Sequence, residues 1–198
     1  MQVNIRSSVK AFLRDKILVR NLIISIFLWM ATIMCYNCIS MYDNYFPGDT
    51  YDNDITMASF ELTAYVLTGV LFSRVGAKRF FFWAYFLAVI GGIGVMLIDE
   101  IDELEMLFSY LGRFGISATY QAIYLNNDLF PIIFASTTFG VCNIFGGIAN
   151  AVGIEVTLLE EDPMMFVFLA FCISAAILSL FIIKIDSSRP IARSSTKL

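Results

Sequence analysis

Residues 55–98 read ITMASFELTAYVLTGVLFS-RVGAKR-FFFWAYFLAVIGGIGVMLI. Two runs of 19 predominantly apolar residues flank a short loop that carries Arg74, Lys78 and Arg79. Nineteen residues at about 1.5 Å each make a helix of roughly 28 Å, close to the ~30 Å hydrocarbon core of a bilayer. A barrel strand would be about half as long and would alternate apolar with polar residues, which neither run does. The stretch therefore reads as a hairpin of two membrane-crossing helices joined on a basic side.

The rest of the chain repeats this unit. Six apolar runs fall at about 22–41, 55–73, 80–98, 106–125, 132–154 and 163–185. Twelve of the 13 Lys and Arg residues lie in three segments: Arg6 to Arg20, Arg74 to Arg79, and Lys184 to Lys197. Acidic groups alternate with them: Asp43, Asp49, Asp52 and Asp54; Asp99 to Glu105; and Glu160 to Asp162. Basic loops stay on the cytoplasmic or matrix side of a membrane. The expected protein is all-α and multi-pass, with six transmembrane helices and both termini inside. Residues 1–20 form a basic amphipathic inner-face segment, 21–186 the six-helix domain and 187–198 a basic inner-face tail. Ile5, Val9, Leu13 and Ile17 repeat every four residues beside Arg6, Lys10 and Arg14, which suits a helix in the headgroup layer. The same segment also reads as a weak mitochondrial targeting sequence, so the plasma membrane and an organelle membrane both stay open.

Composition removes several function classes. The chain is 59% hydrophobic and 15% charged, against about 25% charged in ordinary globular domains. It contains no His, which excludes His-metal sites and His general bases. No metal site, cofactor or catalytic constellation is expected, and an enzyme is disfavoured. Nucleic acid is no expected partner, because topology already accounts for the basic residues. Cys35 and Cys38 form a CxxC inside an apolar run, where small apolar packing is the expected role. Small residues at four-residue spacing, Ala84–Ala88–Gly92 and Ala170–Ser174, mark faces for close helix contact, within the chain or between copies.

Two charges are out of place at depth. Glu61 lies six residues into the second run and Arg113 about seven into the fourth, both counted from the acidic side. An ionised group there costs a few kcal/mol unless it is paired or hydrated, so the two are expected to face each other. They serve either as a structural pair or in solute or ion passage. Asn143 and Asn150 lie seven residues apart with Gly146 and Gly147 between them; Gln121 and Tyr124 add polar groups on the fourth run. These four are candidate solute contacts, or else interhelical glue.

The segments Glu61-Leu62-Thr63-Ala64-Tyr65 and Ser73-Arg74-Val75-Gly76-Ala77-Lys78-Arg79 resemble the eighth helix and following loop of the major facilitator superfamily. Gly112-Arg113-Phe114-Gly115-Ile116-Ser117-Ala118, Asp128-Leu129-Phe130-Pro131 and Gly140-Val141-Cys142 are similar, in order, to stretches of its organic cation and anion transporter branch. The resemblance covers about residues 20–185 and corresponds to the carboxyl-terminal six helices. It implies one half of a twelve-helix fold, with a small organic solute bound between two halves that rock against each other. It also marks Arg74, Gly76, Lys78 and Arg79 as the inner-loop motif. Departures accompany it: Ser73 stands where the family has an acid, and Ala77, Ala135 and Gly147 where basic residues are usual. Two functions follow. One is a transporter half that needs a second copy or a partner half. The other is a non-transporting, transporter-derived subunit of a larger membrane complex.

Overall fold

The computed structural model describes residues 10, 12–42, 50–98, 102–125, 129–159 and 161–183. Six long helices account for nearly all of them: α1 (Lys16–Tyr42), α2 (Thr50–Val75), α3 (Ala77–Leu97), α4 (Asp102–Leu125), α5 (Ile132–Val156) and α6 (Glu161–Ser179). The expected basic segments at either end, and Asp128, lie largely or wholly outside the described residues. At the start, Phe12 packs on Phe130 and Phe134, with ring centroids 6.4 and 4.9 Å apart. Asp15 then caps α1, its Oδ1 accepting from the Ile17 N–H at 2.9 Å.

The helices run past the apolar runs at their acidic ends. Asp52 and Asp54 belong to α2, and Asp102, Glu103 and Glu105 to α4, rather than to loops. Acids in a first helical turn interact favourably with its unpaired N–H groups. At the other end, α6 stops at Ser179 rather than near residue 185. The chain tightens there through i−3 bonds at Leu180, Phe181 and Ile182. Buried Asn21 then holds Ile183, donating to its carbonyl at 2.7 Å and accepting from its N–H at 3.2 Å.

Five helices are long and apolar enough to cross a membrane: α1, α2, α3, α5 and α6. Six spans are expected from the sequence, and five helices meet that length and composition. The exception, α4, is long enough but polar, carrying three acids in its first turns, Arg113, and buried Ser109, Ser117 and Thr119. It lies against α1, α2 and α3. A helix enclosed by others needs no apolar surface all round.

Contacts close a ring through α1, α4, α3 and α6, while α2 leans chiefly on α4 and α5 on α1. The tight α3–α4 seam explains the small residues. A Cβ at Gly115 would stand 2.6 Å from the Ala84 carbonyl oxygen, and one at Gly91 would stand 2.7 Å from that of Phe108. Ala84 and Ala88 are buried in this seam, and Gly92 is buried against Phe168 and Leu169 of α6. Ala170 and Ser174 are exposed, because α6 turns Phe168, Cys172 and Ala175 inward instead. The α2–α3 connection also differs from a tightly packed hairpin. A single residue, Gly76, separates the helices at φ 81°, a conformation L side chains rarely adopt. The two helices then meet only sparsely, through Phe72 against Phe80 and Phe81.

Candidate functional site

The two misplaced charges come together. Arg113 Nη2 lies 3.0 Å from Glu61 Oε2, with side-chain exposures of 10% and 15%. Three helices build the site around them. From α2, Tyr65 donates to Glu61 Oε1, one turn along the same helix. From α1, Tyr36 donates to Glu61 at 3.1 Å and accepts from Arg113 at 3.1 Å. Ser40, one turn further along α1, accepts from Arg113 Nη1. The guanidinium carbon also sits 4.4 Å from the centre of the Tyr36 ring, a cation–π contact. Tyr120, two turns from Arg113 on α4, places its ring 5.5 Å from that of Tyr36.

Charge-assisted hydrogen bonds are the strong ones, and a half-buried setting leaves them poorly screened. The arrangement fixes α1, α2 and α4 to one another around a single ion pair. Chemically it has an acid, a fixed cation and aromatic faces, but neither a nucleophile–base pair nor, among the described residues, a cluster of metal ligands.

The other expected contacts are less concentrated. Asn150 accepts from Asn37 Nδ2 of α1 at 3.0 Å. Asn143 is exposed, and Gln121 is half-buried on α4; neither makes a hydrogen bond among the described residues. The Tyr124 side chain lies outside the described ones. Gly146 does not share the Asn143–Asn150 face: a Cβ there would meet Trp29 Nε1 at 2.6 Å. Gly147 does share it, with nothing within 4 Å of a Cβ. The difference is angular, since at about 100° per residue Gly146 and Gly147 fall on either side of Asn143. In the inner-loop motif, Arg74, Lys78 and Arg79 are all exposed around Gly76.

Large apolar side chains are exposed on faces that no neighbouring helix covers, α5 and α2 included. The spans α3 and α6 show Phe86, Ile90, Ile93 and Leu97, and Phe166, Ile173 and Ile177. On α5, beside exposed Ile144, Ile148 and Val152, a second exposed stripe is formed by Ser136, Gly140, Asn143, Gly147 and Asn150 at spacings of four and three. Sequence reading found Asn143 and Asn150 but missed Tyr36, Asn37 and Ser40. A polar triplet within the apolar run of α1 was the available signal.

Comparison with known proteins follows the same direction. No family model matches the chain. A Caenorhabditis elegans protein whose name calls it a candidate transporter is 22% identical over 184 residues, 89% of this chain and 38% of its own length. The organic cation/carnitine transporter 2 of Rattus norvegicus is 29% identical over 124 residues, 60% of this chain. Organic cation transporter 1 of C. elegans is 22% identical over 130 residues. This chain is homologous to transporters, organic cation/carnitine transporters among them. It is an integral membrane protein with apolar spanning helices, and its relatives are transporters rather than enzymes. The chain covers 22% of the length of the rat relative.

Proposed function

We propose that this chain forms one six-helix half of a major-facilitator-type transporter for a small organic solute. In this reading α4 is the sixth span, screened from lipid by α1, α2 and α3. The termini and the Arg74–Arg79 loop face the cytoplasm or matrix. A second copy or a partner half completes the solute path.

The α5 stripe carries the proposal. Hydrocarbon offers no partner for Asn side chains. A helix with apolar groups on one exposed side and Ser136, Gly140, Asn143, Gly147 and Asn150 on another faces lipid with the first and water or protein with the second. The polar bonds Asn37–Asn150 and Tyr36–Glu61–Arg113 sit on adjoining positions of α1. The wall of the path is thus made by α1, α2, α4 and α5, while α3 and α6 face lipid. Glu61 with Tyr36 and Tyr65 is an acid among aromatics, a setting suited to organic cations. Arg113 is its resident counter-ion, and the pair is a gate that an incoming cation opens by competing for Glu61. The relatives' names make organic cations and carnitine the first solutes to test.

The test is uptake of labelled carnitine and tetraethylammonium into proteoliposomes, for wild type, Glu61→Gln and Asn150→Ala. Uptake lost in both variants, with folding intact, supports transport. A second reading, a structural subunit of a membrane complex, is favoured by the departures at Ser73, Ala77, Ala135 and Gly147. It predicts no uptake under any condition and stable co-purification with the same partner subunits in mild detergent.

A further inference from the structure

A cavity of about 270 Å³ lies between α2, α3 and α4, and no residue of α5 lines it. It exists because α2 and α3 part company just beyond Gly76. α2 leans on α4, α3 packs against α4 along the glycine seam, and the wedge between them stays open. Leu67 and Leu71 of α2 and Trp83 and Leu87 of α3 form its sides; Phe114 and Ala118 of α4 form its floor. Its lining is almost wholly apolar, with the Thr68 hydroxyl already bonded to the Ala64 carbonyl at 2.7 Å. The rim residues Leu67, Leu71 and Trp83 are exposed.

Chain connectivity places charge at one end of this wedge. Val75 and Phe80 also line it, and they are the direct neighbours of Arg74 and Arg79. Arg74, Lys78 and Arg79 are all exposed there, and none of the described residues near them is acidic in sequence. Trp83, with Phe82 and Phe86 edge-on to it at 5.5 and 5.7 Å, forms an aromatic cluster one turn beyond the basic residues. Basic groups, then an aromatic belt, then an apolar slot is the order in which a phospholipid presents phosphate, glycerol ester and acyl chain.

We infer that the α2–α3 wedge binds an anionic phospholipid from the leaflet on the basic-loop side, with one acyl chain in the slot and the headgroup on Arg74, Lys78 and Arg79. The lipid takes the place of helix–helix contact that α2 and α3 do not make. The inference stands apart from the transport reading, since it needs neither Glu61 nor α5.

Native mass spectrometry of the detergent-purified chain, offered equal amounts of phosphatidylglycerol and phosphatidylcholine with matched acyl chains, tests it. Phosphatidylglycerol adducts should exceed phosphatidylcholine adducts by about fivefold, the discrimination provided by one well-placed cation. Arg74→Gln/Lys78→Gln/Arg79→Gln should level the two, and Leu71→Trp, at an exposed rim position, should reduce both. Equal retention of the two lipids by wild type overturns the inference. So does undiminished phosphatidylglycerol binding in Leu71→Trp, which would mean surface charge attraction without a slot. A second measurement needs no variant. Phosphatidylglycerol with a photoreactive acyl chain should label the segments around Leu67–Leu71 and Trp83–Leu87; label spread equally over Phe166, Ile173 and Ile177 of α6 refutes a defined site.

Discussion

Replacing Arg113 by Met removes the cation but keeps most of the apolar stem. Glu61, 15% exposed, is then left ionised without its counter-charge. Breaking one side of a buried pair costs roughly 3–5 kcal/mol. The lower figure applies here, because Tyr36 and Tyr65 still donate to the carboxylate. Glu61→Gln is milder, at about 2 kcal/mol: Arg113 keeps Ser40, Tyr36 and the Tyr36 ring face. The double variant Glu61→Gln/Arg113→Met leaves no unpaired charge. It should cost about 3 kcal/mol rather than the sum of about 5, a coupling of ~2 kcal/mol. Unfolding in mixed micelles, titrated with SDS and followed by circular dichroism, gives all four free energies. Additive losses, with coupling below about 0.5 kcal/mol, would refute the claim that the two groups hold α2 and α4 together through each other.

Further outcomes follow from the packing. Gly91→Ala should destabilise the chain by about 1–3 kcal/mol, since the new Cβ would press on α4 backbone, whereas Gly147→Ala, in open space, should leave stability unchanged or raise it by up to ~1 kcal/mol in the same titration. Gly76→Ala should cost about 1–3 kcal/mol, because φ 81° with ψ 156° is a region essentially confined to glycine. Asn21→Ala should remove about 1–3 kcal/mol by stripping both bonds from Ile183; hydrogen exchange at Ile183 should quicken first, and unchanged protection there would sink the assignment.

The spans were legible because length and apolarity are local quantities that one hairpin, residues 55–98, already displays. Helix ends were less so. Asp52, Asp54, Glu103 and Glu105 look like loop residues by charge, yet they serve as helix starts, where charge and helix dipole agree. Glu61 and Arg113 could be found because a charge at depth must have a reason. Tyr36 and Ser40, signalled only by the polar group they form with Asn37, and Tyr65 were missed, since tyrosine and serine are unremarkable in an apolar helix until a neighbour's position is known. The same ignorance of neighbours left open what Ala170 and Ser174 meet, and hid the Gly91 and Gly115 contacts. A four-residue spacing defines a helix face but not what that face meets. Whether α4 spans was obscured for a related reason, because burial by protein relaxes the apolar requirement that lipid imposes.

In the proposed transporter half, one exposed side of α5 faces a watery path and the other faces lipid. The chain's four cysteines, Cys35, Cys38, Cys142 and Cys172, are all buried, so single introduced thiols can be read against a quiet background. Asn143→Cys, Gly147→Cys and Ile148→Cys should be made in membranes and treated with a charged, membrane-impermeant methanethiosulfonate. Labelling is expected at positions 143 and 147, slowed by a transported organic cation, and none at 148. Equal labelling at all three, or labelling at 148 alone, would contradict it.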